Sequence, residues 1–215
     1  MKKITPLIIA SLIILSSCFE QKEKAEIIST APAGEYFLDK THASLIFRIN
    51  HLGLSNYTAR FKKFDSTLKF DPKNPEKSKV VASIDPLSLE TDFPNPKPNF
   101  NLELQGDKFL DIAKFPKITF TSTTVKLTGA NTAMLSGDLE LHGIKKPITL
   151  NVTFNGGYDA IPMDPEQLSR IGFSARGSLK RSDFGIAYGI PAPNSKMGVG
   201  DEVEIIIEAE FNKNR

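Results

Sequence analysis

The chain has one cysteine, no tryptophan and three histidines in 215 residues. A lone cysteine closes no internal disulfide and seeds no cysteine-based metal site. The histidines are His42, His51 and His142; the first two lie nine apart across a strand and its turn, which matches no finger or helical ligand spacing. A hydrogen bond at a strand end is the favoured reading of each, and neither a metal nor another cofactor is expected. No Gly-x-Ser-x-Gly elbow, phosphate-binding glycine loop or His-Glu-x-x-His occurs, so the commonest hydrolase, nucleotide and zinc-protease chemistries lose their sequence support. An excess of one charge is missing too. Lys and Arg number 27 against 25 Asp and Glu, and removing Lys2 and Lys3 with the leader leaves 25 facing 25. A neutral body gives no electrostatic case for nucleic acid. Long apolar runs are absent: Leu7 to Leu15 is broken by Ser11, and at ~1.5 Å per residue it falls far short of the ~30 Å hydrocarbon layer. What remains, 40% hydrophobic and 24% charged, is the composition of a globular domain.

Met1-Lys2-Lys3 and the short apolar run after it read as a signal-peptide core. Leu15-Ser16-Ser17-Cys18 resembles a bacterial lipobox. That resemblance implies a diacylglyceryl thioether on Cys18, cleavage before it and acylation of its new amine. Several acyl chains make a stable anchor where one makes a marginal one. An ordinary secretory signal with an incidental cysteine is the rival. Residues 1–17 are therefore assigned to a signal peptide and 18–33, rich in Glu, Lys, Gln, Ser and Thr, to the acylated cysteine and a flexible tether. Residues 34–215 are assigned to one folded domain. No Asp follows Cys18, which by the same resemblance favours the outer membrane of a bacterial cell envelope, the domain facing the periplasm or the cell surface.

From Gly34 onward the dominant signal is alternation with period two, as a strand with one buried face requires. Leu45, Phe47 and Ile49 share a face, as do Leu68 with Phe70, Ala82 with Ile84, and Ile118 with Phe120. Leu139 and Leu141, Leu150 with Phe154, and Phe173 with Ala175 continue the row, and Val203 to Phe211 alternates against four glutamates with Ile206 out of phase. Turn residues separate the runs, among them His142-Gly143 and Asn155-Gly156-Gly157. Some eight strands without a long helical pattern predict an all-β domain, and closure into one antiparallel up-and-down barrel removes the sticky edges. Residues 99–115 suit a short helix closing one barrel end. Residues 93–98 hold three prolines and form an exposed loop, and Asp164-Pro165-Glu166-Gln167 suits one helical turn. Fifteen phenylalanines, several on inward faces, are equally compatible with a filled core and with a lined ligand cavity.

The motifs in chain order resemble the YceI-like family. They include Asp39, His42, Phe47 and His51-x-Gly53; Ile84-Asp85-Pro86-Leu87-Ser88-Leu89-Glu90-Thr91; and Phe115-Pro116-x-Ile118-Thr119-Phe120. Gly137-x-Leu139-x-Leu141-x-Gly143-Ile144-x-Lys146-Pro147, Arg181-Ser182-Asp183-Phe184-Gly185 and Val199-Gly200-Asp201 follow. Glu103 departs from the family, which often has His there. The resemblance implies a lipocalin-like barrel that binds, without catalysis, a long-chain isoprenoid, a quinone or a fatty-acid-like amphiphile. Its interior candidates are Leu45, Phe47, Ile49, Leu68, Phe70, Ala82, Ile84, Ile118, Phe120, Leu139, Leu141, Leu150 and Phe173. Polar rim candidates are His42, His51, Arg181 and Asp183, although an ion pair between the last two explains them equally well. An enzyme acting on the bound lipid, with those four as its polar constellation, and a filled-core structural lipoprotein are the alternatives. Small residues such as Ala82, Gly137, Ala175 and Gly177 leave room inside and favour the binding module. The partners expected are the lipid and a membrane reached through Cys18, with the oligomeric state, homodimer included, left open.

Overall fold

The structure, a computed structural model, describes residues 29–213. The leader, Cys18 and most of the tether lie outside the described residues. Where β-branched and aromatic residues alternate with polar ones, the chain extends. The strands are β1 (Gly34–His51), β2 (Ser55–Phe61), β3 (Phe64–Phe70), β4 (Lys79–Ile84), β5 (Leu89–Glu90), β6 (Ile118–Leu127), β7 (Thr132–Leu141), β8 (Ile144–Tyr158), β9 (Ser169–Lys180) and β10 (Val199–Lys213); α1 is Phe100–Gln105. Both β2 and β3 pair with β1: Phe61 lies opposite Leu45 on its second half, and Phe70 opposite Gly34 on its first. They are two legs of one bent strand. In the same way β4 and β5 continue one another along β3 and β2. With each bent pair counted once, eight antiparallel strands form a meander, and β10 returns to pair with β1, Ile205 opposite Phe47. The expected closed all-β barrel is the observed fold.

Local chemistry explains the turns and three departures from expectation. His142 and Gly143, at φ 52° and 72°, make the two-residue primed hairpin that matches strand twist. A Cβ on Gly143 would also stand 2.4 Å from the Phe115 ring, so glycine is required twice over. Asn155-Gly156-Gly157, by contrast, is no turn. β8 runs through it to Tyr158, with a bulge between Phe154 and Gly156 (φ 131°). The glycines serve the bulge and a close approach, since a Cβ on Gly157 would meet Ile171 at 2.6 Å and Ala31 at 3.1 Å. That slot also shortens the tether. Ala31 is buried against the barrel, Thr30 N–H donates to the Gly157 carbonyl (3.3 Å) and the Tyr36 hydroxyl donates to the Pro32 carbonyl (2.7 Å). Burial beside Asp159 pushes the Tyr36 phenol up to about 12. The third departure is at residues 164–167, which form tight turns and no helix. Arg170 pins them through Asp164 (3.0 Å) and Glu166 (2.6 Å) while also reaching Asn212 (3.1 Å).

Strand directions define two barrel ends. The first holds α1, the turn at 52–54, the proline strap at 93–98 and the loop at 185–198; the second holds Ser29, Lys213 and the loops at 71–78, 128–131 and 159–168. Packed clusters thicken the wall. One gathers Tyr36, Phe70, Ile171 and Phe211 near the second end, and the other gathers Ile84, Phe120, Leu139 and Phe184 near the first.

Candidate functional site: an apolar cavity through the barrel

Between these clusters the barrel is hollow, with a cavity of about 1330 Å³. Ligand pockets are ordinarily about 300–1,000 Å³, so this one suits a molecule longer than a common metabolite. All thirteen interior candidates named from the sequence, from Leu45 to Phe173, line it. A filled core would have buried them uniformly. Instead Phe47, Leu141 and Phe173 are only partly buried, whereas Ile171, on the same inward face of β9 but packed against Tyr36 and Phe211 at the second end, is 1% exposed. Near the second end, Phe70, Phe154, Phe173 and Phe211 form a ring cluster with centroids 5.3 to 6.3 Å apart. At the first end α1 folds over the opening, its start capped by the Asn99 side chain accepting from Leu102 N–H (3.2 Å). Phe100 and Leu104, four apart on α1, line the cavity with Tyr57, Phe109 and Leu110. The sequence reading missed them as lining residues. Their four-residue spacing in the segment expected to close the barrel was the available signal.

The small residues divide. Ala82 and Ala175 border the cavity, but Gly137 and Gly177 do not. A Cβ on Gly137 would lie 2.4 Å from the Phe120 ring, and one on Gly177 2.6 Å from Leu150. These glycines seat neighbouring side chains and leave no extra room for a ligand.

The polar candidates divide as well. His51 and Arg181 line the cavity, and His42 and Asp183 lie away from it, so the four are not one constellation. Arg181 is 5% exposed. Its guanidinium donates to the carbonyls of Gly200, Val199 and Tyr188, each at 2.8 Å, and of Ile186 at 3.1 Å. It thereby ties the 185–198 loop to the start of β10. Burial draws its pKa below the ordinary guanidinium value, while Asp201 acts in the opposite direction. The ion pair envisaged with Asp183 does not form: Asp183 takes Lys146 (2.9 Å) in an exposed pair, because the Arg181 donors turn inward to the carbonyls. Among the described lining residues the only carboxylate is Glu103 and the only full cation Arg181.

His42 occupies a bulge of β1 between Leu38 and Ala43, where its Nδ1 meets Asp39 at 3.0 Å. The hydrogen bond and charge of Asp39, with Glu210 nearby, raise the His42 pKa. Burial acts to raise Asp39, but hydrogen bonds from His42, Thr41 and Asn212 outweigh it and hold the carboxyl well below the usual range. Ligand atoms of Asp39, His42 and Glu210 come within 4.8 Å of one another. Arg170 also reaches Asp39 (3.4 Å), so this carboxylate is already shared with a guanidinium. His142 sits at the β7–β8 hairpin, and its Nδ1 donates to the Phe184 carbonyl (3.0 Å).

Known proteins share this architecture. The YceI-like domain model matches residues 36–211. Protein YceI of Salmonella arizonae is 40% identical over 183 residues, covering 84% of this chain and 88% of its own length. The crystal structure of the Campylobacter jejuni YCEI protein is 29% identical, with TM-score 0.64 over 78% of this chain and 91% of that one. A polyisoprenoid binding domain from Saccharophagus degradans, implicated in plant cell wall breakdown, shares the fold at 17% identity and TM-score 0.57, over 85% of this chain and 100% of its own. A closed eight-strand barrel with this match along nearly all its described length belongs to the YceI-like family.

Proposed function

We propose that the chain binds a long-chain isoprenoid, or a quinone or fatty-acid-like amphiphile of similar length, inside the barrel without transforming it, as a carrier, scavenger or sensor. The carrying observation is the apolar cavity of about 1330 Å³. Each buried CH₂ contributes ~0.8 kcal/mol, so eight already offset much of the cost of ordering a chain. The Saccharophagus domain, named for polyisoprenoid binding, lends support on the same fold. Binding without catalysis accords with the Arg181 donors being committed to four carbonyls. The same proposal includes a lipid anchor on Cys18 that holds the domain at a bacterial envelope membrane, the outer one favoured, on the strength of Leu15-Ser16-Ser17-Cys18. Mass spectrometry of organic extracts from the purified protein tests the ligand. A stoichiometric chain lipid is the expected result, and a lipid-free extract from protein purified without detergent would sink the proposal.

A further inference from the structure

The first barrel end carries apolar tips that do not line the cavity. Leu54 is 84% exposed, Met197 77% and Leu102 62%. They stand on three segments that the fold brings around one opening. Leu52 N–H donates to the Gly198 carbonyl (3.0 Å), tying the turn of Leu54 to the loop of Met197. Phe100, on the helix of Leu102, meets Tyr57 at 5.9 Å and Phe93 at 5.2 Å, joining α1 to β2 and the proline strap. Phe93 and Tyr188 are 40% and 53% exposed and also line the cavity, so apolar surface extends from the interior to the rim between the tips. Lys97, Lys108 and Lys196 stand exposed among them. Of the carboxylates nearby, Glu90 pairs with Lys62 (3.9 Å), Asp92 with Arg60 (3.6 Å) and Asp111 with Lys114 (2.8 Å), which leaves Glu103 and Asp107 against three lysines.

We propose that this end docks on a lipid bilayer, with Leu54, Leu102 and Met197 entering the interface and the lysines meeting anionic headgroups. The inference rests on the lipid-binding reading and names the partner of the same cavity. Tips on separate loops around an opening offer a second protein no continuous face. A fluid interface accepts them at any spacing, to the ~5–10 Å depth typical of interfacial anchoring, and cationic side chains beside them add attraction to anionic lipid. A chain leaving the cavity here would pass into hydrocarbon without crossing water. The opposite end offers a rival in Met163, 89% exposed, on the loop that Arg170 pins.

The absence of tryptophan makes the test direct. Leu54→Trp, Leu102→Trp, Met197→Trp and Met163→Trp are each made in the full chain carrying Cys18→Ser, which removes any acyl anchor, and each is compared with the same chain without the substitution. They are mixed with phosphatidylethanolamine–phosphatidylglycerol vesicles bearing brominated acyl chains. Quenching at the first three positions and none at Met163→Trp is expected. Leu102→Asp and Met197→Asp should each weaken vesicle binding about tenfold, the partition gain of one such side chain, with an unchanged melting temperature. Quenching at Met163→Trp equal to or above the others overturns the inference. So does an absence of quenching while chain lipid persists in the organic extract, an outcome that leaves the reading of the cavity standing.

Discussion

Replacing one inward-facing isoleucine with alanine, either in the packed barrel end or beside the cavity, distinguishes a hollow barrel from one that collapses in solution. Ile171 on β9 is 1% exposed, and its Cγ2 lies 2.6 Å from where a Gly157 Cβ would be. Ile171→Ala removes packed methyl groups and leaves a new void, so the loss should be about 3 kcal/mol, within the usual range for such truncations. Ile205 on β10, opposite Phe47, lines the cavity. Its truncation gives the same change in chemistry and strand propensity, but the space left merges with a cavity of about 1330 Å³ and adds no separate void. Only part of the transfer cost remains, about 1 kcal/mol. For a domain of this size each kcal/mol moves the melting temperature by about 2–4 °C. Delipidated Ile171→Ala should therefore melt about 6–12 °C below the parent, and Ile205→Ala only about 2–4 °C below it. Far-UV circular dichroism suits a chain without tryptophan. Equal losses for the two variants would mean that the barrel closes on itself once empty, and the hollow-barrel reasoning would fail.

Leu141→Trp should fill part of the cavity and displace the bound lipid, detected in organic extracts, while shifting the melt by less than the ~1–3 kcal/mol that overpacking a filled core costs. Arg181→Gln strands several of the four carbonyls that the guanidinium holds. It should cost about 3 kcal/mol and open the 185–198 loop to limited proteolysis; a protease-resistant loop would refute the clamp. For His42 the sign follows from its raised pKa: its pairing with Asp39 stabilises fully below the unfolded value of about 6.5 and is lost as pH rises through the raised folded value. The melting-temperature gap between parent and His42→Ala should therefore narrow toward alkaline pH, and a widening gap would contradict it. Metabolic labelling with a fatty acid should mark the parent and spare Cys18→Ser; equal label would remove the anchor from the proposal.

The barrel was legible in the chain because alternation is a local property. Each of Leu45, Phe47 and Ile49 faces inward for the same period-two reason, and closure follows once the edges must be removed. That local pattern specified which face of each strand would be apolar, and all thirteen interior candidates line the cavity accordingly. It could not specify how far apart the faces would stand. Whether the inward phenylalanines fill a barrel or line one depends on strand count, tilt and the angle at the β2–β3 bend, all set by pairings between residues distant in sequence. The glycines show the same limit. Gly137 and Gly177 look like spare room in one dimension and are occupied in three, because the Phe120 ring and the Leu150 side chain come from the neighbouring strands. Arg181 and Asp183 stand two apart, yet one turns inward to four carbonyls and the other outward to Lys146. Composition and periodicity alone determined an all-β domain with an apolar interior. Only the tertiary pairings decided that the interior is a cavity, which polar groups reach it, and that its opening is ringed by exposed leucine and methionine.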